Sequence, residues 1–317
     1  MPFENLLQVV ANCDNFPYER NRQSTEKIHQ FVPFRLGLHV IGHVLPEVVA
    51  ALKEYSAALS PSPFELSDQA YISFSSWVDS FDKRTGVVKK VMDEWREQRK
   101  FKALAGWRNE IYPVYGDFSR KDNVAFVMER AATPLLGVST FGVQLNGYVR
   151  EQDGSIKLWV ARRVLTKPTW SGMLDSCAAG GITYKYSTKE TIVKECDEEA
   201  YIPSEIAQNA YNVGVISYYI YTSSGLQPET VYVYDLQLPS DFMPTPRDGE
   251  VECFYLWSLE KVMETLLNGE WKPNCALVAI DFMMRNGMIT ADSEPDYIDI
   301  SYRLHRRLEF PGPRKYA

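Results

Sequence analysis

Glu195, Glu198 and Glu199 crowd into the short stretch KECDEEA at residues 194–200. On a helix turning about 100° per residue they fall within roughly 100° of one another, and Ile192, Val193, Cys196 and Ala200 form the adjoining apolar stripe. Like charges three and four residues apart destabilise a helix by a few tenths of a kcal/mol per pair. A divalent cation removes that cost. Carboxylate oxygens are the hard ligands that Mg²⁺ and Mn²⁺ take, in a shell shared with water and substrate phosphate. Gly180 and Gly181 precede the glutamates by a dozen residues or more, where a chain can approach phosphate or turn a carbonyl onto a metal without a side chain in the way. A solvated acidic face and an ordinary glycine turn are the plainer readings of each feature alone. Together they read as half of a site for a metal and a diphosphate.

Cations stand between the preceding strand and the glycines. Arg162, Arg163 and Lys167 follow KLWVA, and any of them could donate to a phosphate. Alternation along a strand sends Arg162 and Arg163 to opposite faces, so at most one faces the site directly. Solvated surface charge is the other reading. Trp170, in KPTWSGML, offers a ring face for an aromatic substrate or a packing surface.

The elements that must hold these residues are legible as patterns. FGVQLNGYVRE and IKLWVARRV, joined by QDGS with Asp153 and Gly154 at the bend, form a hairpin. VGVISYYIYTS and ETVYVYDLQL form a second, and VECFYLWS a further strand. The helices SLEKVMETLLNG and PNCALVAIDFMMRNG follow, the latter opened by Pro273. Strands around an acidic helix give an α/β class, an α/β/α sandwich. Before residue 125 the texture differs. The segments PFENLLQVVANC, LPEVVAALKEYSAAL and VVKKVMDEWREQRKF have helical apolar faces, with AYISF and EIYPVY as strands, an α+β domain. The polar SRKDN (119–123) is the expected break, so that 1–125 and 126–317 are the expected domains, with AFVMERAATPLL opening the second.

Bulk properties exclude several classes. The chain has 317 residues, is 45% hydrophobic and 24% charged, and carries a net charge of −7, a globular composition without a nucleic-acid footprint. There is no apolar run of about 18 residues to span a membrane, and the first residues lack both secretory and transit-peptide character. Five scattered cysteines, without a CxxC pair, fit a reducing compartment, and a cytoplasmic protein is expected. GxxxxGK[ST] and HExxH are absent, and His29, His39, His43 and His305 are too few and too badly spaced for a zinc cluster.

The run Lys194-Glu195-Cys196-Asp197-Glu198-Glu199 resembles the Nudix box, GX5EX7REUXEEXGU with U aliphatic. Glu195, Glu198 and Glu199 match it residue by residue. Lys194 stands for its arginine, keeping a charge able to pair with Glu198 but losing the planar fork. Tyr201 stands where the box has glycine. Gly180 falls at the box's leading glycine with Tyr186 at its first glutamate, whereas Gly181 requires a one-residue deletion; Glu190 lies off the face of the other three. Longer stretches, among them KLWVARRVLTKPTWSGMLDSCAAGGI, DGEVECF and the N-terminal FVPFRLGLHVIGHVLP, resemble a Nudix subfamily related to the Nudix part of fungal thiamine pyrophosphokinase fusions. The sequence ends at Ala317 without room for the kinase part, so kinase activity is not expected.

The resemblance implies a hydrolase in which Glu198 and Glu199 hold one or two Mg²⁺ or Mn²⁺ ions, with a carbonyl of Gly180 or Gly181 as a further ligand and Glu195 either a ligand or the base. It also implies an acidic group from a later loop, for which Glu250 and Glu252 are the candidates, Glu250 as a metal ligand and Glu252 as a catalytic group. The implied substrate is a small-molecule diphosphate, thiamine diphosphate or its oxidised analogues oxythiamine and oxothiamine diphosphate. Hydrolysis of a nucleotide sugar or dinucleotide, isomerisation of isopentenyl diphosphate and a non-catalytic binding module are the alternatives. Isomerisation would need an acidic cysteine, whereas Cys196 belongs to the apolar stripe. The N-terminal domain is expected to serve substrate recognition or homodimer formation.

Overall fold

Alternating apolar strands and amphipathic helices condense here into two units. The computed structural model describes residues 2–18, 30–67, 71–119 and 122–314. The first elements are α1 (Leu6–Cys13), β1 (Val32–Leu36), β2 (His39–Val44), α2 (Pro46–Ala57), β3 (Phe64–Ser67), β4 (Tyr71–Phe74) and α3 (Phe81–Glu97). Next come β5 (Ile111–Tyr115), β6 (Val124–Glu129) and the single turn α4 (Thr133–Leu136). The strands β7 (Thr140–Arg150), β8 (Ile156–Arg163), β9 (Leu174–Asp175) and β10 (Ala178–Gly181) lead to α5 (Thr188–Ala200) and the short α6 (Ser204–Ala207). The chain closes with β11 (Tyr211–Thr222), β12 (Gly225–Gln237), β13 (Val251–Ser258), α7 (Leu259–Leu267), α8 (Pro273–Arg285) and α9 (Tyr297–Leu304).

Two compact units divide these elements: residues 1–14, 141–218 and 230–307 in one, and 15–140, 219–229 and 308–317 in the other. The second unit has a four-stranded sheet in the order β2-β1-β4-β3, with β1 and β4 parallel, and the separate pair β5-β6. Its core includes Phe34, Leu52, Ile72, Trp95 and Phe126. α3 begins where the Ser80 hydroxyl accepts from the Lys83 N–H at 3.3 Å, and it buries Val88, Val91, Met92 and Trp95, one stripe at helical spacing.

The first unit is built on a sheet in the order β11-β12-β7-β8-β13, extended by β10 on β7 and β9 on β8. β7 is buried at every position from Thr140 to Val149, as a strand covered on both faces must be. The hairpin of β7 and β8 turns at Gly154, whose φ of +86° suits glycine. Helices cover the sheet: α5 packs on β10, α7 on β8 and β13, and α8 on β9. This is the layered α/β class expected. Among the described residues no helix is long and apolar enough to cross a membrane.

The expected boundary near residue 125 does not coincide with these units. AFVMERAATPLL forms β6 and α4, and β6 pairs with β5 through Tyr112 and Met128, so this segment closes the second unit instead of opening the first. Conversely, α1 joins the first unit because its buried stripe of Leu6, Val9, Val10 and Cys13 packs on α7, α8 and α9. Gly180 and Gly181, for which an ordinary turn is the plainer reading of the sequence, lie in β10, with Gly180 opposite Val143 and Gly181 opposite Gly142.

Candidate active site

α5 starts on a reciprocal cap. The Ser187 hydroxyl accepts from the Glu190 N–H at 3.2 Å, and the Glu190 carboxylate accepts from the Ser187 N–H at 2.8 Å. Glu190 is thus a capping residue, which explains its place off the acidic row. Thr191, Ile192, Cys196 and Ala200 are the buried face, and Val193 is partly exposed. The helix ends at Tyr201, whose φ of +52° is the left-handed conformation that glycine adopts without strain. The backbone of the box is therefore kept where its glycine is not.

Two of the three glutamates fold onto β10. The Ala179 N–H donates to Glu199 Oε2 at 2.7 Å. Glu195 lies so close over Gly180 that a Cβ there would come within 2.6 Å of Glu195 Cγ. Gly180 is a glycine because a carboxylate occupies the space of its side chain. Glu198 points outward, bound by Lys194 Nζ at 2.5 Å, and the same ammonium reaches Glu195 Oε1 at 3.3 Å. Lys194 thereby offsets part of the repulsion along the row, in the pairing expected of the arginine it replaces.

A loop after β12 completes the acidic group. Carboxylate oxygens of Glu199, Asp248 and Glu250 all lie within 4.8 Å of one another. Burial, then Asp175 and Glu195, push the Glu199 carboxyl well above the usual range, against the Ala179 N–H and Lys272. Burial and Glu250 raise Asp248 as well, with Lys167 opposing. Three crowded carboxylates held this way fit a hard divalent cation, whose charge would reverse the cost of ionising them. Glu199, Asp248 and Glu250 would hold it, with Glu195 alongside. Asp248 was not singled out from the sequence; its signal was the two-residue spacing to Glu250 in DGE. Glu252 is exposed at the irregularity between Val251 and Cys253 and stands outside this group.

The cations have other tasks than expected. Arg163 is buried and donates to Asp175 Oδ2 at 2.7 Å, to the Trp170 carbonyl at 3.1 Å and to the Thr169 carbonyl at 3.2 Å. Arg162 donates to the Gly172 carbonyl at 2.7 Å and to the Tyr255 hydroxyl at 3.3 Å. Both guanidiniums fasten the loop 164–173; the fork of Arg163 is filled by two carbonyls and a buried carboxylate, which corrects the expectation of a phosphate ligand there, while Arg162 is engaged by the Gly172 carbonyl and the Tyr255 hydroxyl. Lys167, from that loop, is buried and ion-paired to Glu250, which does bring it to the acidic group. Trp170 is 40% exposed with a φ of +54°, its ring available and its carbonyl held by Arg163.

Behind the group lies a buried charge cluster. Asp175 accepts from Arg163 and from Cys275 Sγ at 2.6 Å, with Lys272 Nζ at 3.5 Å. Burial acts to raise its pKa, but Lys272 and Arg163 outweigh this and hold it low. Cys196 is fully buried in the apolar face of α5, as expected of a packing residue, and burial, then Glu199, push its thiol up to about 12. Of the histidines, His43 contacts the Tyr219 hydroxyl at 3.2 Å and His39 pairs with Asp117 at 3.4 Å, outside any carboxylate group of this kind; His29 lies outside the described residues.

Comparison with known proteins agrees with this geometry. The family described as "Domain of unknown function (DUF4743)" matches residues 5–140. The chain is 37% identical to the uncharacterized protein YJR142W of Saccharomyces cerevisiae, over 97% of this chain and 92% of that one. It is 35% identical to Nudix hydrolase 20, chloroplastic, of Arabidopsis thaliana, over 91% of this chain and 76% of the relative. Identity to Nudix hydrolase 24, chloroplastic, of the same plant is 34%, over 90% and 76%. With an acidic helix, a glycine strand and relatives alike over nearly its whole length, the chain belongs to the Nudix hydrolase family.

Proposed function

We propose that this protein is a metal-dependent hydrolase that cleaves thiamine diphosphate or its oxidised analogues, oxythiamine and oxothiamine diphosphate, to the monophosphate and phosphate. Family membership makes it a hydrolase of diphosphate bonds. The observation that carries the mechanism is the convergence of Glu199, Asp248 and Glu250 within 4.8 Å, next to the Glu195 seated on Gly180. The thiamine part is supported by the resemblance of the stretches around the box and in the N-terminal half.

Bound Mg²⁺ or Mn²⁺ would polarise phosphoryl oxygens and lower the pKa of water. Glu199, Asp248 and Glu250 provide its oxygens, with Glu198 at the outer edge and the carbonyl of Gly180 or Gly181 within the same strand. Glu195 is assigned as the group that accepts the proton of the attacking water, since β10 fixes its carboxylate in place. Lys167 neutralises Glu250 and stands where it can meet the phosphate. Trp170 offers its ring to the heterocycle of the substrate.

Phosphate release from a panel of thiamine, oxythiamine and oxothiamine diphosphates, ADP-ribose, a nucleotide sugar and NADH, with Mg²⁺ and then Mn²⁺, tests the reading. Preference for the thiamine set is expected. Turnover of the nucleotide set alone would keep the mechanism and discard the substrate, and binding without turnover of any compound would make the protein a binding module.

A further inference from the structure

Glu199 comes from α5 whereas Asp248 and Glu250 sit on a loop, so the group exists only while that loop is held against the helix. The loop is tied to that helix at its C-terminal end. The Thr245 N–H donates to the Ala200 carbonyl at 3.0 Å. Two residues on, the Arg247 guanidinium is ion-paired to Asp197 and lies over the Tyr201 ring, 5.0 Å from its centroid. Arg247 immediately precedes Asp248, which in turn accepts from the Glu250 N–H at 2.8 Å. Asp197 stands two residues before Glu199, about 200° round the same helix, so the tie reaches Glu199 through the helix itself and not through a side-chain contact. One side chain thus fastens the loop that carries Asp248 and Glu250 to the end of the helix that carries Glu199.

Tyr201 gives the second, independent observation. Its backbone holds the left-handed conformation that favours glycine, so the tyrosine is kept at a position where its backbone is strained. Its ring is more than half exposed and its described ring contact is with Arg247. A glycine would relax the helix end and remove the surface on which Arg247 rests.

We infer that Arg247, held by Asp197 and Tyr201, is a positioning residue that sets the loop carboxylates Asp248 and Glu250 against Glu199, and so sets the affinity for the divalent cation. This rests on the proposed function, in which those carboxylates hold the metal. Asp197 and Arg247 are each about half exposed, at 48% and 49%, so the tie has the strength of a surface ion pair with a cation–π contact. Its loss should weaken binding about three- to tenfold.

The test is Mn²⁺ binding to the full chain, read from the electron paramagnetic resonance of the free ion, together with thermal unfolding of the metal-free protein. Arg247→Met and Tyr201→Gly are each expected to weaken Mn²⁺ binding about three- to tenfold. Tyr201→Gly should not lower the unfolding temperature, an outcome that a merely structural tyrosine would not give. Arg247→Lys should recover part of the affinity, and Asp197→Asn combined with Arg247→Met should bind no worse than Arg247→Met alone. Mn²⁺ affinities unchanged in both single variants, or reduced only alongside a lowered unfolding temperature, would overturn the inference alone. An unaltered chain that binds no Mn²⁺ would overturn the metal reading and the inference together.

Discussion

Replacing Gly180 by alanine isolates the contact between β10 and Glu195. The new methyl would lie 2.6 Å from Glu195 Cγ and nearer still to its carboxyl group, where van der Waals contact requires about 3.5–4 Å. The backbone does not resist, since Gly180 is not among the described residues with positive φ and its conformation is open to alanine. The Glu195 side chain must therefore yield, by roughly 1 Å, the shortfall in that contact. A flexible side chain yields cheaply, at about 0.5–1.5 kcal/mol for an off-rotamer torsion. A catalytic group displaced by about 1 Å costs on the order of 10²-fold in rate. Gly180→Ala should accordingly lower kcat about 10²-fold while thermal unfolding hardly changes. Because both changes act through one carboxylate, Gly180→Ala added to Glu195→Gln should cost little more than Glu195→Gln alone. Steady-state phosphate release and thermal unfolding of the three variants read this out. A Gly180→Ala variant within threefold of the unaltered kcat, or a double variant showing the full product of the two losses, would refute the seating of Glu195 as the working geometry.

Glu199 is raised, so the metal-free fold binds a proton that the unfolded chain has released; its contribution is best below the usual carboxylate pKa and is lost as pH rises toward the raised value. Glu199→Gln should therefore be more stable than the unaltered chain at pH 8 in chelator, by calorimetry, and a less stable variant would contradict the cause given. His43 is pushed down to about 4 by burial, so the stability tied to its neutral form is complete above pH 6.5 and lost as pH falls toward 4, about 3 kcal/mol in all. Urea unfolding at pH 7 and 4.5 should show that loss, much reduced in His43→Gln. Arg163→Met leaves Asp175 buried without its closest cation and should cost about 3–5 kcal/mol in urea unfolding. A loss below about 1 kcal/mol would restore Arg163 as a candidate substrate ligand.

What the sequence displays of this molecule is what depends on near neighbours. The acidic helix, the two hairpins, the strand before α7 and the proline that opens α8 all rest on spacings of a few residues, and the structure has them. The row of Glu195, Glu198 and Glu199 was legible for the same reason. What escaped depends on partners far along the chain. Arg163 looks like a phosphate ligand until Asp175, Thr169 and Trp170 close around it. Gly180 looks like a turn until its place in β10 under Glu195 shows why a side chain is excluded. Asp248 stands 49 positions from the Glu199 it meets, and helical periodicity says nothing across such a gap. The boundary was misplaced because polarity at 119–123 marks a surface loop, whereas the division follows strand pairing that β6 makes backward to β5.

The most direct test of the carboxylate group is steady-state phosphate release at saturating Mg²⁺ by the unaltered chain and by Glu199→Gln, on the best substrate of the panel. The expected result is a fall in kcat of roughly 10²-fold or more with KM little changed, because the lost charge serves the reaction more than the binding of substrate. A kcat within threefold of the unaltered chain would contradict the assignment of Glu199, Asp248 and Glu250 as the group that drives hydrolysis.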